Sequence, residues 1–170
     1  MSQGVLERHV VLVAPEIHWN TGNIGRTCLA VGAELHLVKP LGFSLGSREV
    51  KRAGLDYWDR VRLRVWDELE SCLGELVPDV GELAVFSKNG LQPLWSIPRA
   101  NRLVLVFGSE TRGLPETVLC RHRKQSYHIP ISAEIRSLNL STAVGIALYE
   151  SLRGSCTLHA WPVDRRSESQ

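Results

Sequence analysis

Three short stretches of this chain concentrate the side chains able to do chemistry. They are Pro15-Glu-Ile-His-Trp-Asn-Thr-Gly-Asn-Ile-Gly-Arg26, Phe107-Gly-Ser-Glu-Thr-Arg-Gly-Leu-Pro115 and His128-Ile-Pro-Ile-Ser-Ala-Glu-Ile-Arg-Ser-Leu-Asn-Leu-Ser141. Each sets glycine and polar residues directly after an apolar run. In an open α/β sheet, ligands bind in the crevice outside the carboxyl ends of the strands. Glycine lets backbone amides come close to a ligand. An adenine ring needs only such amides and carbonyls with an apolar slot, and Phe86, Gly108, Ile129 and Ile131 are placed to supply it. The 108–113 loop is not a phosphate-binding loop, because Leu114-Pro115 follows Gly113 where lysine and a hydroxyl residue are required. It also lacks the middle glycine of the dinucleotide fingerprint. No Gly-x-Ser-x-Gly elbow and no His-Glu-x-x-His occur. The six histidines have no ligand spacing, so no metal is expected.

The elements that must carry these loops follow from hydrophobic pattern. Val10–Ala14, Glu34–Val38, Arg60–Trp66, Glu82–Ser87, Arg102–Phe107 and Tyr127–Ile131 read as strands, and Leu103-Val-Leu-Val-Phe107 is as apolar as an interior parallel strand. Helices are expected from a cap at Asn20 or Thr21 through Ala33, over Asp67–Leu76, from Pro115 at the first helical position to about Cys120, and from about Leu140 to Arg153. Ser137 or Asn139 caps the last of these. Gly22 and Gly25 are costly inside a helix, about 1 kcal/mol each against alanine, which implies close packing or a closely approaching group. Ser47–Leu55 reads as a short basic helix. Its Arg48, Lys51 and Arg52 form either a solvated face or a phosphate-contacting patch. Leu91–Ala100 looks irregular. Strands alternating with helices give an α/β domain with a mostly parallel sheet, expected over residues 1–155, with a C-terminal extension over 156–170 whose end is flexible.

With 170 residues, 44% of them hydrophobic, the chain has the size and apolar content of one compact domain. The net charge of +2 neither requires nor excludes nucleic acid. No apolar run approaches the roughly 18 residues of a membrane span. The N-terminus has no secretory h-region, and Cys28, Cys72, Cys120 and Cys156 form no Cys-x-x-Cys. These features point to reduced thiols in a cytoplasmic protein without a membrane partner.

In order and spacing, Asn20-Thr-Gly-Asn-Ile-Gly-Arg26, Phe107-Gly-Ser-Glu-Thr-Arg-Gly-Leu-Pro115 and Ile129-Pro-Ile…Arg136-Ser-Leu-Asn-Leu-Ser141 resemble the three motifs of the SpoU branch of the SPOUT methyltransferases. The likeness runs from Val10 to about Arg153. Arg52-Ala-Gly-Leu-Asp-Tyr57 resembles the small single-domain subgroup that methylates the 2′-hydroxyl of cytidine or uridine 34, the wobble nucleotide of tRNA. The resemblance implies a mostly parallel α/β sheet closed by a deep C-terminal trefoil knot, a homodimer built on the first and last helices, and S-adenosylmethionine as cofactor. It implies that Phe86, Gly108, Ile129, Ser137 and Leu138 line the cofactor site. It also implies that Arg26, Asn20, Glu110, Ser137 and Asn139 form the catalytic set, and that Arg48, Lys51, Arg52 and Arg112 meet tRNA. Glu110 could instead pair with Arg112. Because an arginine keeps its charge, Arg26 is expected as an electrostatic clamp on a phosphate and the developing alkoxide. Two positions depart from the pattern: His18-Trp19 stands where relatives usually carry two prolines, and Ser109 where proline is usual. The competing expectations are methylation of another tRNA position or of ribosomal RNA, a knotted RNA-binding protein without catalysis, and a plain Rossmann-like nucleotide binder.

Overall fold

A computed structural model describes residues 6–45 and 57–153 of the chain. The expected helix at Ser47–Leu55, with Arg48, Lys51 and Arg52, and the expected extension over 156–170 lie outside them. The strands are β1 (Glu7–Val13), β2 (Glu34–Val38), β3 (Leu63–Trp66), β4 (Leu83–Phe86), β5 (Gln92–Pro93), β6 (Arg102–Phe107) and β7 (Ser126–His128). They pair in the order β3-β2-β1-β6-β4-β7-β5, with every pair parallel. The helices are α1 (His18–Val31), α2 (Leu69–Leu76), α3 (Glu116–Arg121) and α4 (Leu140–Ser151).

Alternation along the strands sends side chains to two cores. Val10, Leu12, Leu35, Leu37, Leu103 and Leu105 pack with Ile24 and Cys28 of α1 and Val144, Ala147 and Leu148 of α4. Val11, Val13, Val104 and Val106 pack on the other face with Leu69, Cys72 and Leu76 of α2 and, at the edge, Val118 and Leu119 of α3. Each fully buried leucine or valine contributes about 1.5–3 kcal/mol. Strands covered on both faces read as near-continuous apolar runs, which is why β6, and β2 with His36 as its one buried polar residue, fall where the pattern puts them.

The differences lie at element ends. α1 begins at His18 with Ile17 as N-cap, so Asn20 and Thr21 sit inside the helix. β7 stops at His128, because Pro130 has no amide for a ladder and restricts Ile129 before it. Pro115 is the N-cap of α3. The irregular stretch after Leu91 contains the two-residue β5 and a 3-10 turn at Leu94–Ser96. Gly25 is explained by packing, since a Cβ there would lie 2.6 Å from the Trp58 indole.

The C-terminal end of α4 is clamped. Buried Arg8 of β1 donates from Nε to Ser151 Oγ (3.0 Å) and from Nη2 to the Ser151 carbonyl (2.8 Å), and from Nη1 to the Asn101 carbonyl (2.8 Å). A cation at the carbonyl end of a helix is favourable to the helix dipole. Buried Glu150 is bridged by Arg99 (3.2 Å) and Arg153 (2.7 Å).

On the α2 face, polar groups form a chain. The Trp66 indole N–H donates to His36 Nδ1 (3.1 Å), His36 Nε2 lies 3.0 Å from His9 Nδ1, and His9 Nε2 lies 2.7 Å from Glu7 Oε1. Tryptophan can only donate, so His36 carries its proton on Nε2 and passes a donor to each next acceptor. His9, Glu34 and His36 offer ligand atoms within 4.8 Å of one another, a proximity that sequence spacing did not reveal. The His36 Nε2–H is already committed to His9, which leaves no lone pair there for a metal. Burial, with His9 and Arg64 adding to it, pushes the His36 pKa down to about 3.

Between pH 3 and 6.5 the unfolded chain therefore binds a proton at His36 that the folded protein refuses. Stability from this residue is complete above about pH 6.5 and falls by up to about 1.4 kcal/mol per pH unit below it. Urea unfolding at pH 7 and pH 5 is expected to show wild type losing about 2 kcal/mol more than His36→Gln, which has no proton to take up. Equal losses would remove His36 as the cause.

Candidate functional site

The carboxyl ends of β1, β4, β6 and β7 open onto one cavity of about 820 Å³. Glu110, in the loop after β6, organises its mouth. One carboxylate oxygen accepts from the Glu16 amide (2.8 Å), and the other from the Ile17 amide (3.2 Å) and the Asn20 side-chain amide (2.9 Å). Ile17, the N-cap of α1, has no side-chain cap of its own. A carboxylate 93 residues downstream in sequence accepts from the Ile17 amide and sets a negative charge beside the N-terminus of α1, the favourable sign for the helix dipole. Ala14, at φ 50, turns the chain out of β1 and into this contact. A left-handed alanine costs about 1–2 kcal/mol.

The Asn20 carbonyl oxygen in turn accepts from the Asn139 side-chain amide (2.9 Å). Asn139 Oδ1 accepts from the Ser141 amide (2.9 Å) and the Thr142 amide (3.4 Å), so Asn139, and not Ser137, is the N-cap of α4. One hydrogen-bonded chain thus joins all three polar stretches. Glu110 is engaged by three N–H donors, and no ion pair with Arg112 forms among the described residues. Thr111 adds a tie, its hydroxyl donating to Glu16 Oε1 (2.7 Å).

The 108–113 loop closes on itself. Ser109 N–H donates to the Gly113 carbonyl (3.2 Å) and Gly113 N–H to the Ser109 carbonyl (3.0 Å). The Ser109 hydroxyl accepts from the Arg112 amide (3.2 Å). A proline at 109 would have no N–H to give; serine contributes two bonds instead. Gly108 is required because a Cβ would lie 2.0 Å from the Gly113 carbonyl carbon, so its immediate role is to let the loop fold back.

Phe86, Gly108, Ile129, Ser137 and Leu138 all line the cavity, as do Asn20, Glu110, Asn139 and Arg112. Phe86 stacks on Phe107 at 4.7 Å and 6°, which makes one wall flat and apolar. The 131–137 segment, which adds Ile131, Arg136 and Ser137 to the lining, is exposed throughout. Arg26 is not brought there. It is exposed on α1, with its guanidinium 4.6 Å over the Tyr57 ring. The Tyr57 hydroxyl donates to the Gly22 carbonyl (3.0 Å) beneath the helix. Sequence reasoning missed this brace, since nothing local couples positions 26 and 57. It also left Lys88, Asn89 and Arg136 of the cavity lining unassigned. Arg136 could have been noticed inside the third stretch. Among the described residues, the Arg112 and Arg136 side chains have no ion-pair partner.

The SpoU rRNA Methylase family matches residues 7–149 of this chain. A tRNA (cytidine(34)-2'-O)-methyltransferase of Burkholderia cenocepacia (strain HI2424) is 40% identical over 146 residues, covering 85% of this chain and 94% of the relative. A solved structure described as giving structural insights into the 2-OH methylation of C/U34 on tRNA is similar at TM-score 0.78 and 45% identity, over 86% of this chain and 95% of that one. An AdoMet-bound rRNA methyltransferase from Sinorhizobium meliloti is similar at TM-score 0.76 and 27% identity, over 90% of this chain and 58% of that one.

Replacing Glu110 with alanine strands three donors at once. Hydrogen bonds to a charged acceptor are worth about 1.5–3 kcal/mol, so Glu110→Ala is expected to lower the unfolding free energy by about 2–3 kcal/mol in denaturant titration. A loss below about 0.5 kcal/mol would mean that water replaces the carboxylate without cost.

Proposed function

This chain belongs to the SpoU rRNA methylase family, and from that membership we propose that it transfers a methyl group from S-adenosylmethionine to the ribose 2′-hydroxyl of nucleotide 34, cytidine or uridine, of tRNA. The observation that carries the reading is the convergence of Asn20, Glu110, Ser137 and Asn139 on one cavity with Phe86, Gly108, Ile129 and Leu138. The named activities of relatives matched over most of their length support it. The cofactor fits what the chain offers. A cavity of about 820 Å³ is within the range of small-molecule sites, and the flat Phe86 wall with Ile129 and Leu138 suits an adenine ring.

When bound, S-adenosylmethionine supplies an electrophilic methyl group whose departure leaves a neutral thioether. The chain's residues then have two tasks, alignment and help with the hydroxyl proton. Asn20 and Asn139, held against each other and against Glu110, form a rigid polar edge for the ribose. Ser137, on the exposed segment, contributes a hydroxyl to the same edge. Arg112 and Arg136 are charged rim groups suited to phosphates, and Arg48, Lys51 and Arg52 extend that role beyond the described residues. Arg26 serves as a fixed positive charge on a phosphate and the developing alkoxide.

Six residues separate Asn20 from Arg26, which turns Arg26 about 120° away around α1. A single chain therefore does not aim both at one point. A homodimer through α1 and α4 removes the difficulty, because the Arg26 face of one copy can serve the cavity of the other. α1 packs against α4, and Ile146 and Tyr149 of α4 are exposed in the single chain. A deep trefoil knot belongs to the same reading. β7 lies between β4 and β5, strands that precede it in sequence and are joined by the 87–91 loop. That loop holds β7 through Ser87 N–H to the Tyr127 carbonyl (3.0 Å), and a Cβ on Gly90 would lie 2.2 Å from the Tyr127 carbonyl carbon. We place the protein in the cytoplasm, with tRNA; no helix of the described residues is long and apolar enough to cross a membrane.

The primary test is transfer of label from S-adenosylmethionine into bulk tRNA from cells lacking this protein, followed by mapping. A 2′-O-methyl group at nucleotide 34 is expected, and label at any other nucleotide would discard the wobble assignment. Arg26→Ala is expected to abolish transfer while leaving cofactor affinity within about two-fold; normal turnover would sink the role given to Arg26. Light scattering of the purified protein is expected to give twice the chain mass, and mixing Arg26→Ala with Ser137→Ala to restore transfer through hybrid dimers. A monomer, or no restoration, would return Arg26 to its own chain's cavity.

A further inference from the structure

His18 and Trp19 are the first two residues of α1, directly before Asn20. Proline is tolerated at the start of a helix because the amides there have no intrahelical partner. Replacing proline with other residues at these positions therefore leaves the helix intact and adds two side chains. What they add is an aromatic pair. The His18 and Trp19 rings lie 4.6 Å apart at 40°, and the indole remains 53% exposed. A lone exposed aromatic says little, whereas adjoining exposed apolar residues at a cavity mouth are informative. The indole follows Ile17, itself 42% exposed and lining the cavity.

Helical spacing sets Trp19, Asn23 and Arg26 at i, i+4 and i+7, one stripe within about 60° of the α1 surface. All three are exposed. The stripe reads aromatic, amide, cation. That is the composition of a single-strand nucleic-acid track, in which bases stack on aromatic rings and a cation follows the phosphates. The arginines of the cavity rim, Arg112 and Arg136, give the surroundings the same sign.

We propose that Trp19, braced by His18, is a stacking platform for an unpaired RNA base flanking the nucleotide to be methylated, and that it sets which RNA loops the site accepts. The proposal rests on the reading of this site as one that takes single-stranded RNA. The indole contributes a flat surface that every base can use, so it favours a splayed-out neighbour over a helical one without reading its identity. Arg26 then meets the phosphate on the same stripe, so both residues serve the cavity that the proposed homodimer assigns to the Arg26 face. Trp19 is a positioning residue, acting on substrate affinity and not on methyl transfer itself.

The test is binding of a labelled tRNA anticodon stem-loop, followed by fluorescence anisotropy, for wild type, Trp19→Ala and Trp19→Phe. Trp19→Ala is expected to weaken binding about 10-fold, and Trp19→Phe to restore all but about 3-fold of it. An abasic substitution at one nucleotide beside position 34 is expected to weaken wild type by about 10-fold and Trp19→Ala no further. The dependence of affinity on salt is expected to be the same in all three proteins, since stacking releases no counterions. Equal affinities of wild type and Trp19→Ala would overturn the proposal, and so would abasic losses that are the same in both proteins. A changed subunit mass in Trp19→Ala would also overturn it, by assigning the indole to a contact between copies. If Trp19→Ala does not fold, Trp19→Phe and the abasic series on wild type still decide. Wild type that binds the stem-loop yet methylates no tRNA would fail the methylation reading and leave the stacking result standing.

Discussion

The hydrogen-bonded chain from Glu110 through Asn20 to Asn139 is the constraint on which the rest of the structure depends. It joins positions 90 and 119 residues apart in sequence. It also fixes two helix N-termini, those of α1 and α4, at the edge of one cavity. Asn139 is exposed, but Asn20 is only 5% exposed, and its side-chain nitrogen and oxygen each find a partner within the chain. Buried polar groups that are fully satisfied specify one arrangement, because every alternative leaves a donor or acceptor unpaired. The carboxylate sets a negative charge beside the N-terminus of α1, whose first turn holds no acidic residue.

The remainder of the fold keeps that chain taut. α4 is held at its far end by Arg8 on the Ser151 carbonyl and by two arginines on Glu150. With its C-terminal end fixed and its stripe of Val144, Ala147 and Leu148 packed on the sheet, its N-terminus has little freedom. The Gly108–Gly113 loop is closed by its own backbone, so Glu110 projects from a rigid turn. The 131–137 segment, part of the cavity lining, has neither helix nor strand and is exposed. The site therefore joins a hydrogen-bonded polar edge to an exposed segment without regular structure.

Ser109 and the pair His18-Trp19 are compatible with this frame for different reasons. Ser109 contributes through its amide and hydroxyl, strengthening the loop that carries Glu110. His18 and Trp19 leave the frame alone and change what the mouth of the site presents. The first concerns the scaffold of the proposed reaction, the second the surface that its substrate meets.

Much of the fold was legible in the sequence. β6 stands out because a parallel strand covered on both faces is apolar over nearly its whole length, β2 shows the same run broken only by His36, and the Asn139 cap follows from a side chain bonding amides two and three residues on. The three polar stretches were legible as strand-end loops for the same local reason. What the sequence could not place was anything carried by a partner distant in the chain. The carboxylate beside the start of α1 comes from residue 110, Arg26 leans on Tyr57, and His9 meets His36 only because β1 pairs with β2. β5 is too short to show a period, and β7, expected over Tyr127–Ile131, is cut to Ser126–His128; both complete the sheet because each finds an edge already formed. The sequence by itself determined the elements, since side-chain periodicity is local. Only the tertiary structure decided the strand order, the rigid polar edge and the separation of Arg26 from the cavity, because those follow from which buried donors and edges are left to satisfy one another once the core has closed.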